Sequence, residues 1–198
     1  MTASMMRDTA SLFNAAADAI ARDDLDSAKD LLRELLDEDP HDVEAIRQLG
    51  RILRDCGQDS AAELMLTSAV ESNPGSIELM LELADLRLAM GDPHGASSPI
   101  KRALSLQPNN AETLYLLGNA FLDLDHFEEA TRAYRSSLEN DPFAAATWYN
   151  LALAHKALGD VHKQRQALKA YLKCEPSAAD QQEVEATLKT LEMDDAGL

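Results

Sequence analysis

Two cysteines, Cys56 and Cys174, are all that the 198 residues contain. They are too few and too far apart in the chain for a disulfide framework, and a cytoplasmic, reducing setting suits that usage best. Aromatic residues make up only 5% of the chain, which leaves leucine and alanine stripes to do most of the packing. No apolar run approaches the length of a membrane-spanning helix, so no membrane insertion is expected. The alanine-rich start, MTASMMRDTASLFNAAADAIA, has no basic n-region, and Asp8, Asn14 and Asp18 interrupt it, so no secretory leader is read there. Positive charge is short as well: 18 basic residues face 35 acidic ones, a net charge of −17. That surface opposes nonspecific binding to nucleic acid or to anionic membranes.

Catalytic constellations are equally scarce. His41, His94, His126, His155 and His162 show no metal-ligand spacing with one another or with the cysteines. There is no phosphate-cradling glycine-rich loop and no HExxH pair. Ser97 and Ser98 have no base or orienting group placed to serve them. His155 falls on an inter-helix position, where a packed core histidine is expected rather than a catalytic one. The sequence therefore predicts no catalytic residue, no cofactor and no metal, and a protein that is not an enzyme.

What the chain does have is a period. Pro40, Pro74, Pro108, Pro142 and Pro176 stand 34 residues apart. Ala28, Ala62, Ala96 and Ala130 recur in the same step, and so do Ala16, Gly50, Ala84, Gly118 and Ala152. Small residues in two matched ladders let paired helices approach closely, and a larger residue one turn earlier (Leu12, Ile46, Met80, Leu114, Trp148) fills space toward the next pair. In Ala111–Pro142 the order Leu114, Leu117, Gly118, Phe121, Ala130, Tyr134, Pro142 resembles the tetratricopeptide repeat. The resemblance covers about Ser4 to Leu191. It implies an all-α fold, a right-handed α-solenoid of helix-turn-helix repeats with a C-terminal capping helix, as one domain over 1–198. The repeats are expected at about 9–42, 43–76, 77–110, 111–144 and 145–178, the cap at about 177–192, and a tail over 193–198.

Repeat one pairs a helix of about Ser4–Ala21 with one of about Asp26–Leu36, and Asp23-Asp24 turns where later repeats use Gly57, Gly91 and Gly159. Repeat two starts on Asp42 as N-cap and carries Arg47, Arg51 and Arg54 opposite Ile46, Leu49, Ile52 and Leu53. In repeat three Pro99 falls in the middle of a second helix, where it removes a donor and crowds the preceding turn at about 3 kcal/mol. Two arrangements stay open: a helix that runs from Pro93 and kinks, favoured by the register of Ala96, or a late start on Ser98 and Pro99. In repeat five Gln164 replaces the small residue of the second helix, so a shift in packing there is expected. Residues 1–42 carry 4 basic and 11 acidic side chains, whereas 145–178 carry 5 and 2, so the array is electrically polarised. Ser177 and Asp180 form a capping box for a last helix whose stripe is Val184, Leu188 and Leu191; Asp194–Leu198 is expected to fray.

By the resemblance, the exposed face of each first helix lines a concave groove that takes a protein or peptide ligand. Its residues are Phe13, Ala17 and Ile20; then Arg47, Arg51 and Arg54; then Leu81, Glu82, Asp85 and Leu88; then Tyr115, Leu116, Asn119, Leu122, Tyr149, Asn150, Leu153 and Lys156. Arg47, Arg51 and Arg54 are either a strip free for an acidic segment or are neutralised by Glu82 and Asp85. Asn119 and Asn150 are suited to a peptide's main chain, and Tyr115 and Tyr149 to flat contact. Some relatives grip a terminal carboxylate; here the asparagine places are filled by Asn119 and Asn150, but the cationic places hold Tyr115, Asp180 and Val184, so that grip is absent. The function read from all this is a non-catalytic scaffold or adaptor. Three alternatives are a head-to-tail homo-oligomer that joins the acidic first repeat to the basic fifth, a secretion-type chaperone, and a targeting subunit of an enzyme complex.

Overall fold

The computed structural model describes residues 9–195. The expected start of the first helix at Ser4 and the last residues of the tail lie outside them. Among the described residues there are eleven helices and no strand: α1 Thr9–Ala21, α2 Leu25–Glu38, α3 Val43–Asp55, α4 Asp59–Ser72, α5 Ile77–Ala89, α6 Pro93–Leu106, α7 Ala111–Asp123, α8 Phe127–Asn140, α9 Ala145–Ala157, α10 Val161–Leu172 and α11 Ala178–Asp195. The chain forms two compact units, Met1–Met90 and Gly91–Leu198. Within each, every helix packs on the next in chain order, and first helices of adjacent repeats also touch, α3 with α5 and α7 with α9.

Local chemistry explains the boundaries. Asp42, Asn110 and Asp160 accept the N–H groups of Ala45, Thr113 and Lys163 at 2.8, 2.8 and 3.1 Å, capping α3, α7 and α10. Left-handed backbone recurs in step with the 34-residue period at Asp23, Gly57, Gly91, Asp125 and Gly159, with φ from 57° to 74°. Aspartate is one of the few residues that tolerate this conformation without losing their Cβ, so repeats one and four turn without glycine. Each periodic proline follows the last helical residue by two positions, except that α10 stops early at Leu172, ahead of a left-handed Glu175.

Both small-residue ladders are buried: Ala28, Ala62, Ala96 and Ala130 are fully enclosed, as are Ala16, Ala84 and Ala152. Gln164 keeps the small-residue place and is buried beside Ala167. In the second unit, Tyr134, Leu138, Leu151, Leu168 and Tyr171 form one core, which Val184 and Leu188 of α11 close. That helix starts on Ser177, whose Oγ accepts Asp180 N–H at 3.3 Å and donates to Asp180 Oδ2 at 2.7 Å. It runs through Asp195, and the rest of the tail expected to fray lies outside the described residues.

Of the two arrangements open for α6, the structure takes the early start. Asp92 accepts Gly95 N–H at 2.8 Å, Pro93 sits in the first turn, and Pro99 lies inside the helix and is buried. A proline there donates no backbone hydrogen bond, and Ser97 Oγ adds a bond back to Pro93 C=O at 3.1 Å, a contact that bends helices. Pro99→Ala restores the missing donor and is expected to stabilise the chain by about 2 kcal/mol, read as a higher denaturation midpoint with unchanged slope. A lower midpoint would show that the ring's packing outweighs the lost bond.

Candidate partner-binding wall

The first helices of each unit form a wall, and the same three-residue contact is built into both. In the first unit Glu82 of α5 accepts from Arg47 Nε of α3 at 3.2 Å and from Arg51. Arg47 also pairs with Glu44 at 3.1 Å, and Arg54 Nη1 reaches Asp85 Oδ2 at 2.5 Å. In the second unit Asn150 Nδ2 of α9 donates to Asn119 Oδ1 of α7 at 2.9 Å and to Tyr115 OH at 3.3 Å. Arg47, Arg51 and Glu82 become Tyr115, Asn119 and Asn150 on moving two periods along the chain. One geometry is thus filled once with charge and once with amides.

Of the two readings of the arginines, the structure shows the ladder: Arg47, Arg51 and Arg54 are matched by Glu82 and Asp85. The reason is reach. A guanidinium on one first helix spans to a carboxylate on the next, and acidic residues occupy both facing positions.

The amide side is held from below. Tyr134 of α8 is fully buried and donates to Asn119 Oδ1 at 2.8 Å. Burial, with smaller contributions from Tyr115 and Asp123, pushes its phenol far above its ordinary pKa, so it remains a donor at every ordinary pH. Asn119 Oδ1 therefore accepts two hydrogen bonds, while Asn119 Nδ2 and Asn150 Oδ1 make none among the described residues. A donor and an acceptor, both on half-buried and fixed side chains, are left on the wall.

The other expected wall residues divide. Tyr115 and Tyr149 are half-buried, and Leu153 is 38% exposed. Leu81 and Leu116 are 7% and 3% exposed, and this corrects the expectation that they meet a ligand: their side chains turn into the helix packing. Two contributors went unread in the sequence. Tyr134 serves the site from the core, and its place in the repeat motif marks it only as packing. Tyr171 tilts against Tyr149, with ring centroids 5.5 Å apart. Asp180, Glu183 and Val184, spaced to share one face of α11, line one cleft with that ring pair, a meeting that the spacing within α11 does not announce.

His155 is buried, and its Nδ1 has no hydrogen-bond partner among the described residues. Burial lowers its pKa from 6.5, so the fold favours the neutral ring. A base whose folded pKa is depressed stabilises the fold above its unfolded pKa, and that contribution is lost as pH falls through about 6.5. His155→Phe, which copies Phe121 one period earlier, is expected to add about 1 kcal/mol near pH 7. It should also flatten the loss of stability on acidification, measured by denaturation at several pH values. An unchanged pH slope would exclude His155 as its source.

Among the described residues no group of His, Cys, Asp or Glu is placed to hold a metal, and no helix is long and apolar enough to cross a membrane.

Two family models, both described as tetratricopeptide repeat, match the chain. One fits residues 81–130 and 115–179, the other 19–71. No curated protein matches. Among solved structures, a thermophilic repeat protein from Thermus thermophilus is similar with a TM-score of 0.74 at 19% identity, covering 94% of this chain and 100% of that one. The MamA protein is similar at 0.68 and 22% identity, covering 84% and 91%. YrrB, titled a repeat protein with an unusual peptide-binding site, is similar at 0.63 and 19% identity, covering 87% and 89%. These likenesses are to the fold; the model matches extend over more than half of the sequence. The chain belongs to the tetratricopeptide repeat family, and its fold is the family's α-solenoid of helix-turn-helix repeats with a C-terminal capping helix.

Proposed function

We propose that the chain is a non-catalytic scaffold that holds an extended segment of a partner protein along the first-helix wall of its second unit. The observation that carries this reading is the Tyr134–Asn119–Asn150 relay. It holds one amide donor and one amide acceptor in fixed positions, the pair that a peptide unit needs. Tyr115 and Tyr149 flank the pair with flat area and polar tips, a composition suited to recognition. Fixing the amides in advance lowers the ordering cost of binding. The paired arginines of the first unit play a different part here: they keep their own wall in shape. A peptide-binding site named for one structural neighbour, YrrB, agrees with this use of the fold.

The test uses capped octapeptide libraries of degenerate sequence and the full chain, with fluorescence anisotropy as readout. Asn150→Ala should weaken binding about tenfold, the equivalent of about 1.4 kcal/mol, with helicity unchanged by circular dichroism. Arg54→Gln, in the first unit, should leave affinity within a factor of two or so. Binding that is indifferent to Asn150 would sink the assignment.

A further inference from the structure

Beside Asn150 the second unit opens a cleft of about 400 Å³ whose lining includes Tyr149, Asn150, Tyr171, Asp180, Glu183 and Val184. Val184 and Tyr171, both buried, bring apolar surface to its lining, and the rings of Tyr149 and Tyr171 tilt against each other there with centroids 5.5 Å apart. Its rim is acidic. Asp180 and Glu183 stand one turn apart on α11, and both are exposed. Neither forms an ion pair among the described residues, and no lysine, arginine or histidine lines the cleft. Asp180 Oδ2 accepts from Ser177 at 2.7 Å.

We propose that this cleft receives a lysine or arginine side chain from the partner segment that Asn150 holds, an inference that rests on the functional reading above. Three features converge on a cation. Two unpaired carboxylates supply charge-assisted acceptors. Aromatic rings attract a cation over their faces. Apolar surface in the lining suits the methylene stem that precedes a charged head. An acidic side chain in the same place meets two like charges, so the cleft selects against it as well as for its opposite. Asn150 belongs both to the relay and to the cleft wall, so a main chain held on the amides delivers the neighbouring side chain into the cleft. The phenol of Tyr171 reports the same field: burial first, then Asp180, Tyr149 and Glu183, push its pKa up.

The experiment takes three capped octapeptide libraries, with arginine, leucine or glutamate fixed at the centre, and titrates each against the full chain. The arginine library should bind about tenfold more tightly than the glutamate library. Glu183→Gln should remove most of that margin and leave the leucine library unchanged. Asp180→Lys/Glu183→Lys should transfer the preference to glutamate. Because Asp180 also caps α11, Glu183→Gln decides the matter if changes at Asp180 disturb that helix. Should all three libraries bind equally and depend on Asn150 but not on Glu183, the cation site is wrong and the peptide wall stands. Should binding ignore Asn150 too, both readings fall.

Discussion

Gly118→Ala is expected to cost the chain about 2 kcal/mol or more, while the same change at Gly50 leaves it as stable or slightly firmer. The two glycines are equivalent, two periods apart, and both lie in first helices where glycine is intrinsically about 1 kcal/mol worse than alanine. What differs is the residue opposite. A Cβ on Gly118 would stand 2.4 and 2.5 Å from two carbons of the Tyr134 ring. That ring is fully buried, and its hydroxyl is tied to Asn119 at 2.8 Å, so it has nowhere to swing. A Cβ on Gly50 meets Leu66 and Met65 at 3.5 Å, ordinary van der Waals contact. The propensity gain therefore wins at residue 50, and overpacking wins at residue 118, by typically 1–3 kcal/mol or more. Denaturant titration of the two variants beside the parent decides it; equal effects at the two glycines would refute the packing account. The consequence reaches the wall. If Tyr134 is displaced, Asn119 loses its lower donor, and Gly118→Ala should weaken peptide binding even where most of the chain stays helical.

Much of this was legible in the residues. The proline step and the two small-residue ladders specify the helix pairs, because small side chains favour the close approach that buries Ala28, Ala62, Ala96 and Ala130, although Gln164 is accommodated at the same place in the last repeat. Asp42 announced its cap, and Val184 and Leu188 announced the face of the last helix. The wall was harder to read. Spacing places Leu81 in register with Tyr115, and Leu116 in register with Asn150, yet both leucines are buried where the tyrosine and the asparagine are half-buried; exposure at one register depends on how the neighbouring helices sit, which spacing does not give. Nor does spacing say whether Arg51 faces water or Glu82, since either satisfies the helix. Tyr134 fits the motif as a core aromatic; that its hydroxyl continues into Asn119 is visible only once both helices are in place.

Glu82→Gln is the sharper test of the charged wall. The Glu82 side chain is 11% exposed and accepts from two guanidiniums, whose own side chains are 26% and 47% exposed at Arg47 and Arg51. Neutralising it takes from both guanidiniums the carboxylate they share and brings their like charges into play, while Glu44 still stands beside Arg47. Breaking a fully buried pair costs about 3–5 kcal/mol, and exposed pairs are worth about 0–1 kcal/mol. This site lies between those limits, so a loss of about 2 kcal/mol is expected, smaller in high salt because the cation repulsion is screened. Asp85→Asn is the control. Asp85 is 48% exposed and pairs, among the described residues, with Arg54, and its loss should stay below about 1 kcal/mol. A double-mutant cycle with Arg51→Gln then isolates the coupling: removing the second cation should recover part of what Glu82→Gln costs. No recovery would mean that Glu82 acts through packing rather than charge. The amide version at Asn150 could not simply replace it. The place of Tyr134 in this repeat is taken by Leu66, which has no hydroxyl to prop an asparagine at residue 51. Charge is what the first unit can use where the second uses amides.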